Sequence, residues 1–167
     1  MKYPDALAST TVPSQLGPIV LAATDDALLG LWFDGQRHQP DASRWRTVPG
    51  HPVLTLASTQ LSDYLAGRRQ QFELPLNLSG GSAFEQAVWR ALQRIPRGAT
   101  CSYSALAADI GRPKAARAVG AAVGRNPLGI IVPCHRVLGA RGALTGYAGG
   151  LPRKIALLQL EGAAFAS

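Results

Sequence analysis

Ile130-Ile131-Val132-Pro133-Cys134-His135-Arg136-Val137 ends a β-branched run on a proline and follows it at once with a cysteine, a histidine and an arginine. The run predicts a buried segment, and Pro133 fixes the turn while removing an amide donor. Cysteine reacts as its thiolate, which a neighbouring base or positive charge favours. A buried cysteine that merely precedes a histidine is the competing reading, since free cysteine is among the most buried residue types. The surroundings of the stretch decide between the two.

A chain of 167 residues can bury a real core and suits one or two small domains. No stretch approaches an uninterrupted membrane span, and Met1-Lys2-Tyr3-Pro4-Asp5 lacks the charged head and apolar core of a secretion signal. Two cysteines, Cys101 and Cys134, make a disulfide framework implausible and point to a reducing cytoplasm. The net charge of +7 is unevenly placed. Residues 1–81 carry six Lys/Arg against seven Asp/Glu, whereas residues 82–167 carry eleven against three. Excess positive charge confined to one half suggests a polyanion, because clustered cations on a phosphate backbone release counterions. Nucleic acid is the partner this favours.

In the first half, Pro18–Ala23 and Leu28–Phe33 flank the polar turn Thr24-Asp25-Asp26-Ala27 and predict a β-hairpin. Gln36 to Gly50 has no periodicity and reads as loop. Val53, Leu56, Ala57, Leu61, Tyr64 and Leu65 recur at helical spacing until Gly67. Phe72–Leu76 is a possible edge strand, with Pro75 excluding a central place. His38 and His51 read as surface loop residues, and with no cysteine before position 101 a zinc site here has little support. This half looks like support structure.

Asn77-Leu78-Ser79-Gly80-Gly81 predicts the linker, giving domains at 1–78 and 82–167. Ser82-Ala83-Phe84-Glu85 has capping-box spacing and opens a helix that runs toward Pro96. Two short helices follow, Ser104–Ile110 with Ser102 as cap and Lys114–Val123, separated by Gly111-Arg112-Pro113. Helix, glycine turn, helix is the helix-turn-helix layout, though many small helical domains share it. The second helix is slim: Ala115, Ala116, Ala118, Gly120, Ala121 and Ala122 surround Lys114 and Arg117. One face can pack on the core, and the other can enter a minor groove with Arg117 projecting. Glycine density rises through Gly139–Gly150, where backbone can approach a ligand closely. The last helix has Pro152 in its first turn and Gly162 as its C-cap. Glu161 opposes the dipole there, unless a partner such as His135 holds it.

Arg117-Ala118-Val119-Gly120, Asn126-Pro127, Pro133-Cys134-His135-Arg136-Val137 and Gly146-Tyr147-Ala148-Gly149-Gly150 stand in one order and register. With them the chain resembles the O6-alkylguanine-DNA alkyltransferases over roughly residues 82–162. The resemblance implies an α/β, RNase H-like N-terminal domain and a mainly helical C-terminal domain with a helix-turn-helix. It implies a single-turnover repair protein that flips an alkylated guanine, or O4-alkylthymine, from duplex DNA and takes the alkyl group onto its own cysteine. Cys134 matches the acceptor. His135, acting through a bound water, and Glu161, orienting the imidazole, match the relay. Tyr103 matches the residue that turns the phosphate backbone and gives a proton to the base, and Asn126 the brace of the active-site turn. Arg117 matches the finger that replaces the flipped base, on a DNA-binding surface with Lys114, Ala115 and Ala118. Val137, Tyr147 and Ala148 match the pocket lining, with the carbonyls of Cys134 and Val137 reading the exocyclic amine. No cofactor or metal is implied, and a cytoplasmic monomer acting on damaged double-stranded DNA, not on a membrane, is expected.

The chain departs from some members at Ala148, where they carry serine, and at Thr145-Gly146, where they carry Gly-Asn. Three other readings remain open. A non-catalytic damage sensor is disfavoured by Cys134 itself. A cysteine hydrolase would turn over an ester substrate. A regulator reading the major groove would want polar side chains that residues 114–123 lack. Cys101 reads as a half-buried structural residue.

Overall fold

Strands β2 (Ile19–Ala23) and β3 (Leu28–Phe33) pair antiparallel across the expected turn. Thr24 holds that turn: its amide donates to the Ala27 carbonyl at 3.0 Å and its hydroxyl accepts from the Ala27 amide at 3.2 Å. The computed structural model describes residues 3–166 and divides into two units, Met1–Gly80 and Gly81–Ser167.

In the first unit the hairpin belongs to a four-stranded sheet of order β3-β2-β1-β4. Strand β1 (Ala8–Val12) is antiparallel to β2, and β4 (Arg46–Thr47) is parallel to β1. Sequence reading missed both: β1 is marked only by Thr10-Thr11-Val12, and β4 is two residues inside the expected loop. Register places Ile19, Leu21, Leu31 and Phe33 on one face of the sheet, all buried. Ala22 and Trp32 face the other way and cluster with Leu7, Tyr3 and Trp45. A Cβ on Gly30 would lie 1.7 Å from the Trp32 indole, so only glycine lets the ring fold back across its own strand.

Helix α1 (Pro52–Leu65) packs on the sheet through Val53, Leu54, Ala57, Leu61 and Tyr64. His51 is not a surface residue: it is buried and caps α1, its Nδ1 accepting from the Leu54 amide at 3.4 Å. Phe72–Leu76 does not form an edge strand. One bridge at Leu76 touches Leu28, and the segment is held from the other side by α1. Gln60 donates to the Glu73 carbonyl at 3.0 Å and accepts from its amide at 2.8 Å, so those backbone groups are spent on a side chain rather than a ladder.

In the second unit the capping box forms as expected. The Ser82 amide donates to Glu85 Oε2 at 2.9 Å, and the Glu85 amide donates to Ser82 Oγ at 3.2 Å. Helix α2 (Ala83–Leu92) ends before the expected proline, in tight turns through Arg94 and Ile95. Helix α3 (Tyr103–Asp109) is capped by Ser102 Oγ on the Ala105 amide at 3.0 Å. Gly111 takes φ +71 in the turn that follows. Helix α4 (Ala116–Gly124) starts two residues later than its sequence suggested, because Ala115 has no side-chain cap to offer and Arg112–Ala115 closes a turn of its own. Lys114 and Ala115 therefore precede the helix.

Val88, Trp89 and Leu92 of α2 meet Leu106 and Ala107 of α3 and Val119, Ala122 and Val123 of α4, every one buried. Trp89 Nε1 donates to the Ala122 carbonyl at 2.9 Å, tying α2 to α4. Strands β5 (Cys101–Ser102) and β6 (Val137–Leu138) form a short parallel pair that sets the start of α3 beside the segment after Cys134. Helix α5 (Leu151–Glu161) ends on Gly162 at φ +70, in the left-handed conformation expected of its C-cap. No helix among the described residues is long and apolar enough to cross a membrane.

Candidate active site

Cys134, His135 and Arg136 form one 3-10 turn, and all three are buried. Pro133 enters it at φ −82, and the Cys134 amide donates to the Val132 carbonyl at 2.8 Å. Successive side chains of a 3-10 turn diverge by about 120°, so Cys134 and His135 still point apart. Asn126 braces the approach: its Nδ2 donates to the Val132 carbonyl at 2.7 Å and its Oδ1 accepts from the Leu128 amide at 3.0 Å.

His135 is completely buried and faces the end of α5. Its Nε2 lies 2.7 Å from Glu161 Oε1. A carboxylate only accepts, so the proton is on Nε2 and Nδ1 is the basic nitrogen. That Nδ1 is buried with no hydrogen-bond partner among the described protein groups. Burial holds the imidazole below its ordinary pKa, and Glu161 acts against that shift.

Arg136 was read from sequence only as a cation following the pair. Its guanidinium serves Glu161 instead: Nε donates to Oε2 at 2.8 Å and Nη2 to Oε1 at 3.0 Å, while Nη1 donates to the Ile95 carbonyl at 2.5 Å. The carboxylate whose placement opposes the α5 dipole is therefore compensated by a buried guanidinium, and both its oxygens are fixed.

Lys154 is the second residue sequence reading left unassigned. It is fully buried, and its ammonium donates to the carbonyls of Val137 at 2.6 Å, Thr145 at 2.8 Å and Gly146 at 3.3 Å. Burial brings it down from 10.5 to about 8. A signal was present: Lys154, Leu157, Leu158 and Glu161 recur at helical spacing on the buried face of α5.

The Cys134 thiol is buried, and desolvation raises its pKa above the usual value. Asn126, the Lys154 charge and the amides of Cys134 and His135 all pull the other way without overcoming it. A neighbouring charge alone does not make the thiolate here, so a base must act as the sulfur reacts.

Tyr103 opens α3, half-buried, its ring against Gly120 of α4. Burial raises the phenol pKa, and the Thr145 side chain acts against that shift. Tyr147 and Ala148 are half-buried in the glycine loop, and the Tyr147 phenol is pushed well up by burial. Val137 is buried in β6. Arg117, Ala118 and Lys114 are exposed, and Ala115 is half-buried. His135, Glu161 and Arg136 are linked directly, Asn126 braces the backbone that leads into Cys134, and the β5–β6 pair brings the start of α3, with Tyr103, beside Val137; Arg117 stands exposed on α4. Among the described residues no three His, Cys, Asp or Glu side chains gather as a metal-holding group.

Two family models match the chain. The 6-O-methylguanine DNA methyltransferase ribonuclease-like domain covers residues 7–78, and the DNA-binding domain of the same family covers residues 83–163. The methylated-DNA–protein-cysteine methyltransferase of Mycobacterium tuberculosis is 48% identical over 151 residues, covering 90% of each chain. The constitutive enzyme of that name from Bacillus subtilis is 43% identical, covering 91% of this chain and 93% of that one. A crystal structure of the M. tuberculosis protein OGT in complex with DNA superposes with a TM-score of 0.85 at 46% identity, covering 94% of this chain and 92% of that one.

Proposed function

Because the chain belongs to the methylated-DNA–protein-cysteine methyltransferase family, which moves an alkyl group from DNA onto a cysteine of the protein itself, we propose that Cys134 is the acceptor and O6-alkylguanine in duplex DNA the substrate. The observation that carries this is the buried relay His135–Glu161–Arg136, whose His135 and Arg136 share the 3-10 turn of Cys134, with imidazole Nδ1 left unprotonated and the thiol kept protonated by burial.

His135 Nδ1, working through a water, takes the Cys134 proton. The sulfur attacks the alkyl carbon, an S–C bond forms, the C–O6 bond breaks, and its electron pair goes to the guanine. Tyr103 gives the purine its proton and recovers one from solvent, while the proton on His135 is lost to solvent. Glu161 stabilises the imidazolium as it forms, and Arg136 keeps that carboxylate oriented. The thioether product has no built-in route to hydrolysis, so each molecule reacts once.

Helices α3 and α4 act as a helix-turn-helix that enters the minor groove, where small residues on α4 allow close approach. Arg117 fills the space of the extruded base. Lys114, Ala115 and Ala118 line the DNA face, and Val137, Tyr147 and Ala148 line the base pocket. The first unit, 1–78, supports the second, 82–167. The protein acts as a monomer in a reducing cytoplasm, a reading supported by its having two cysteines and no disulfide framework.

The test is intact-protein and peptide mass spectrometry after incubation with duplex DNA containing O6-methylguanine. One methyl group on the Cys134 peptide, saturating at one per protein, is expected. An unmodified protein that still binds the lesion would identify a damage sensor instead.

A further inference from the structure

Helix α5 ends on four carbonyls that its own turns leave without amides, those of Leu158, Gln159, Leu160 and Glu161. The amides of Ala163 and Gly162 turn back onto the first two, at 2.9 and 3.1 Å. The third is met from outside the helix: Arg97 Nη2 donates to the Leu160 carbonyl at 2.8 Å. The fourth lies against Gly98, where a Cβ would stand 3.1 Å from the Glu161 carbonyl oxygen. Arg97 and Gly98 are neighbours in one tight turn, closed by the Ala99 amide on the Pro96 carbonyl at 3.1 Å, with Gly98 at φ +80 in the position that favours glycine. Ile95, just before that turn, accepts through its carbonyl from Arg136 Nη1 at 2.5 Å. Arg136 in turn holds the Glu161 carboxylate. The 95–98 segment thus reaches Glu161 twice, at its side chain through Arg136 and at its backbone through Arg97 and Gly98.

We propose that Arg97 is a positioning residue for alkyl transfer: by holding the last peptide of α5, it keeps the Glu161 carboxylate on His135 Nε2. This rests on the reading of His135 and Glu161 as the relay given above. The Leu160 carbonyl and the Glu161 nitrogen and Cα share one planar peptide unit. Fixing that oxygen therefore fixes the plane from which the Glu161 side chain departs. Helix ends fray, and a hydrogen bond weakens steeply away from its best length and angle. The 2.7 Å contact between Glu161 and His135 joins two separate elements, so drift at the end of α5 is felt directly at the imidazole. A cation at this helix terminus also offsets the dipole that the carboxylate opposes.

The experiment follows single-turnover transfer at increasing concentrations of duplex O6-methylguanine DNA. It compares wild type, Arg97→Met, Glu161→Gln and the Arg97→Met/Glu161→Gln double variant, with a urea titration of each so that rates are taken per folded molecule. Methionine keeps an apolar stem and deletes the donor and its charge. The plateau rate of Arg97→Met should fall about three- to tenfold, the worth of one hydrogen bond, with the half-saturating DNA concentration within about twofold of wild type. In the Glu161→Gln background the same substitution should cost less than about twofold. An unchanged plateau in Arg97→Met would overturn the proposal. A loss confined to the half-saturating concentration would overturn it too, because Arg97 would then be a DNA contact. So would an undiminished loss in the Glu161→Gln background, since the arginine would then act independently of the carboxylate. Glu161→Gln as fast as wild type would remove the relay itself, a failure distinguishable from that of Arg97 alone.

Discussion

Glu161 is bound to His135 at 2.7 Å, from the last turn of α5 to the middle of the 3-10 turn that carries Cys134. The carboxylate fixes the imidazole tautomer and leaves Nδ1 unprotonated, the nitrogen proposed as the base. Glu161→Gln keeps the shape and removes the charge that stabilises imidazolium. Burial already holds His135 below 6.5 and Glu161 opposes that shift. The active form of the base is neutral, so transfer is lost as pH falls through the folded-state pKa. Without the carboxylate that acid limb moves to lower pH, while the plateau rate drops at least about tenfold as the base weakens. Arg136 is left facing a neutral amide, at a cost to stability of about 3 kcal/mol. Rates of methyl transfer between pH 5 and 8 and a urea titration check both. An unshifted limb would separate Glu161 from the imidazole.

Much of this site was legible because its chemistry depends on local order. Pro133-Cys134-His135 and Ser82–Glu85 each lie within one turn, so their arrangement is written in consecutive residues. Arg136 and Lys154 were not legible as site residues, since their partners, Glu161 and the 145–146 carbonyls, are brought in by tertiary packing. The same cause hid β1 and β4, which exist by pairing, and misread Phe72–Leu76, whose backbone is bound by Gln60. The thiol's raised pKa was also beyond the sequence: proximity to cations is visible in a string of residues, but burial is not.

Lys154→Met should fold and transfer poorly. The substitution deletes the donor to the Val137, Thr145 and Gly146 carbonyls while avoiding the cost of burying an ammonium. Those terms oppose each other, so the net loss of stability is modest, about 1–3 kcal/mol. The effect on chemistry is larger, because β6 and the glycine loop lose their common anchor. Lys154 also lowers the Cys134 pKa, so the thiol should titrate at higher pH in the variant. Alkylation of Cys134 by iodoacetamide across pH, alongside a thermal melt, reads both. An unchanged thiol titration would show that the ammonium does not reach the sulfur.

His51→Ala tests the first unit apart from the chemistry. It removes the Nδ1 acceptor that caps α1 at the Leu54 amide and opens space at a buried position. The lost cap costs about 1 kcal/mol. Transfer per folded molecule should match wild type, since every group proposed to react lies in the second unit. Urea unfolding and a stoichiometric burst with methylated duplex make the comparison. A reduced rate at full folding would give the first unit a direct part in repair.

Arg117→Ala separates base extrusion from alkyl transfer. Arg117 is exposed in the first turn of α4, while the thiol and its relay are buried elsewhere in the unit. Unstacking a base costs a few kcal/mol, and a side chain that fills the gap offsets part of that. Losing it should slow reaction with O6-methylguanine in duplex by about tenfold or more, on the order of 1–2 kcal/mol of that offset. Free O6-methylguanine has no stack to leave, so its much slower reaction should change by less than about twofold. Parallel single-turnover assays on the two substrates give the ratio directly. Equal losses on both would move Arg117 from the helix stack to the pocket, where it would act on the base itself.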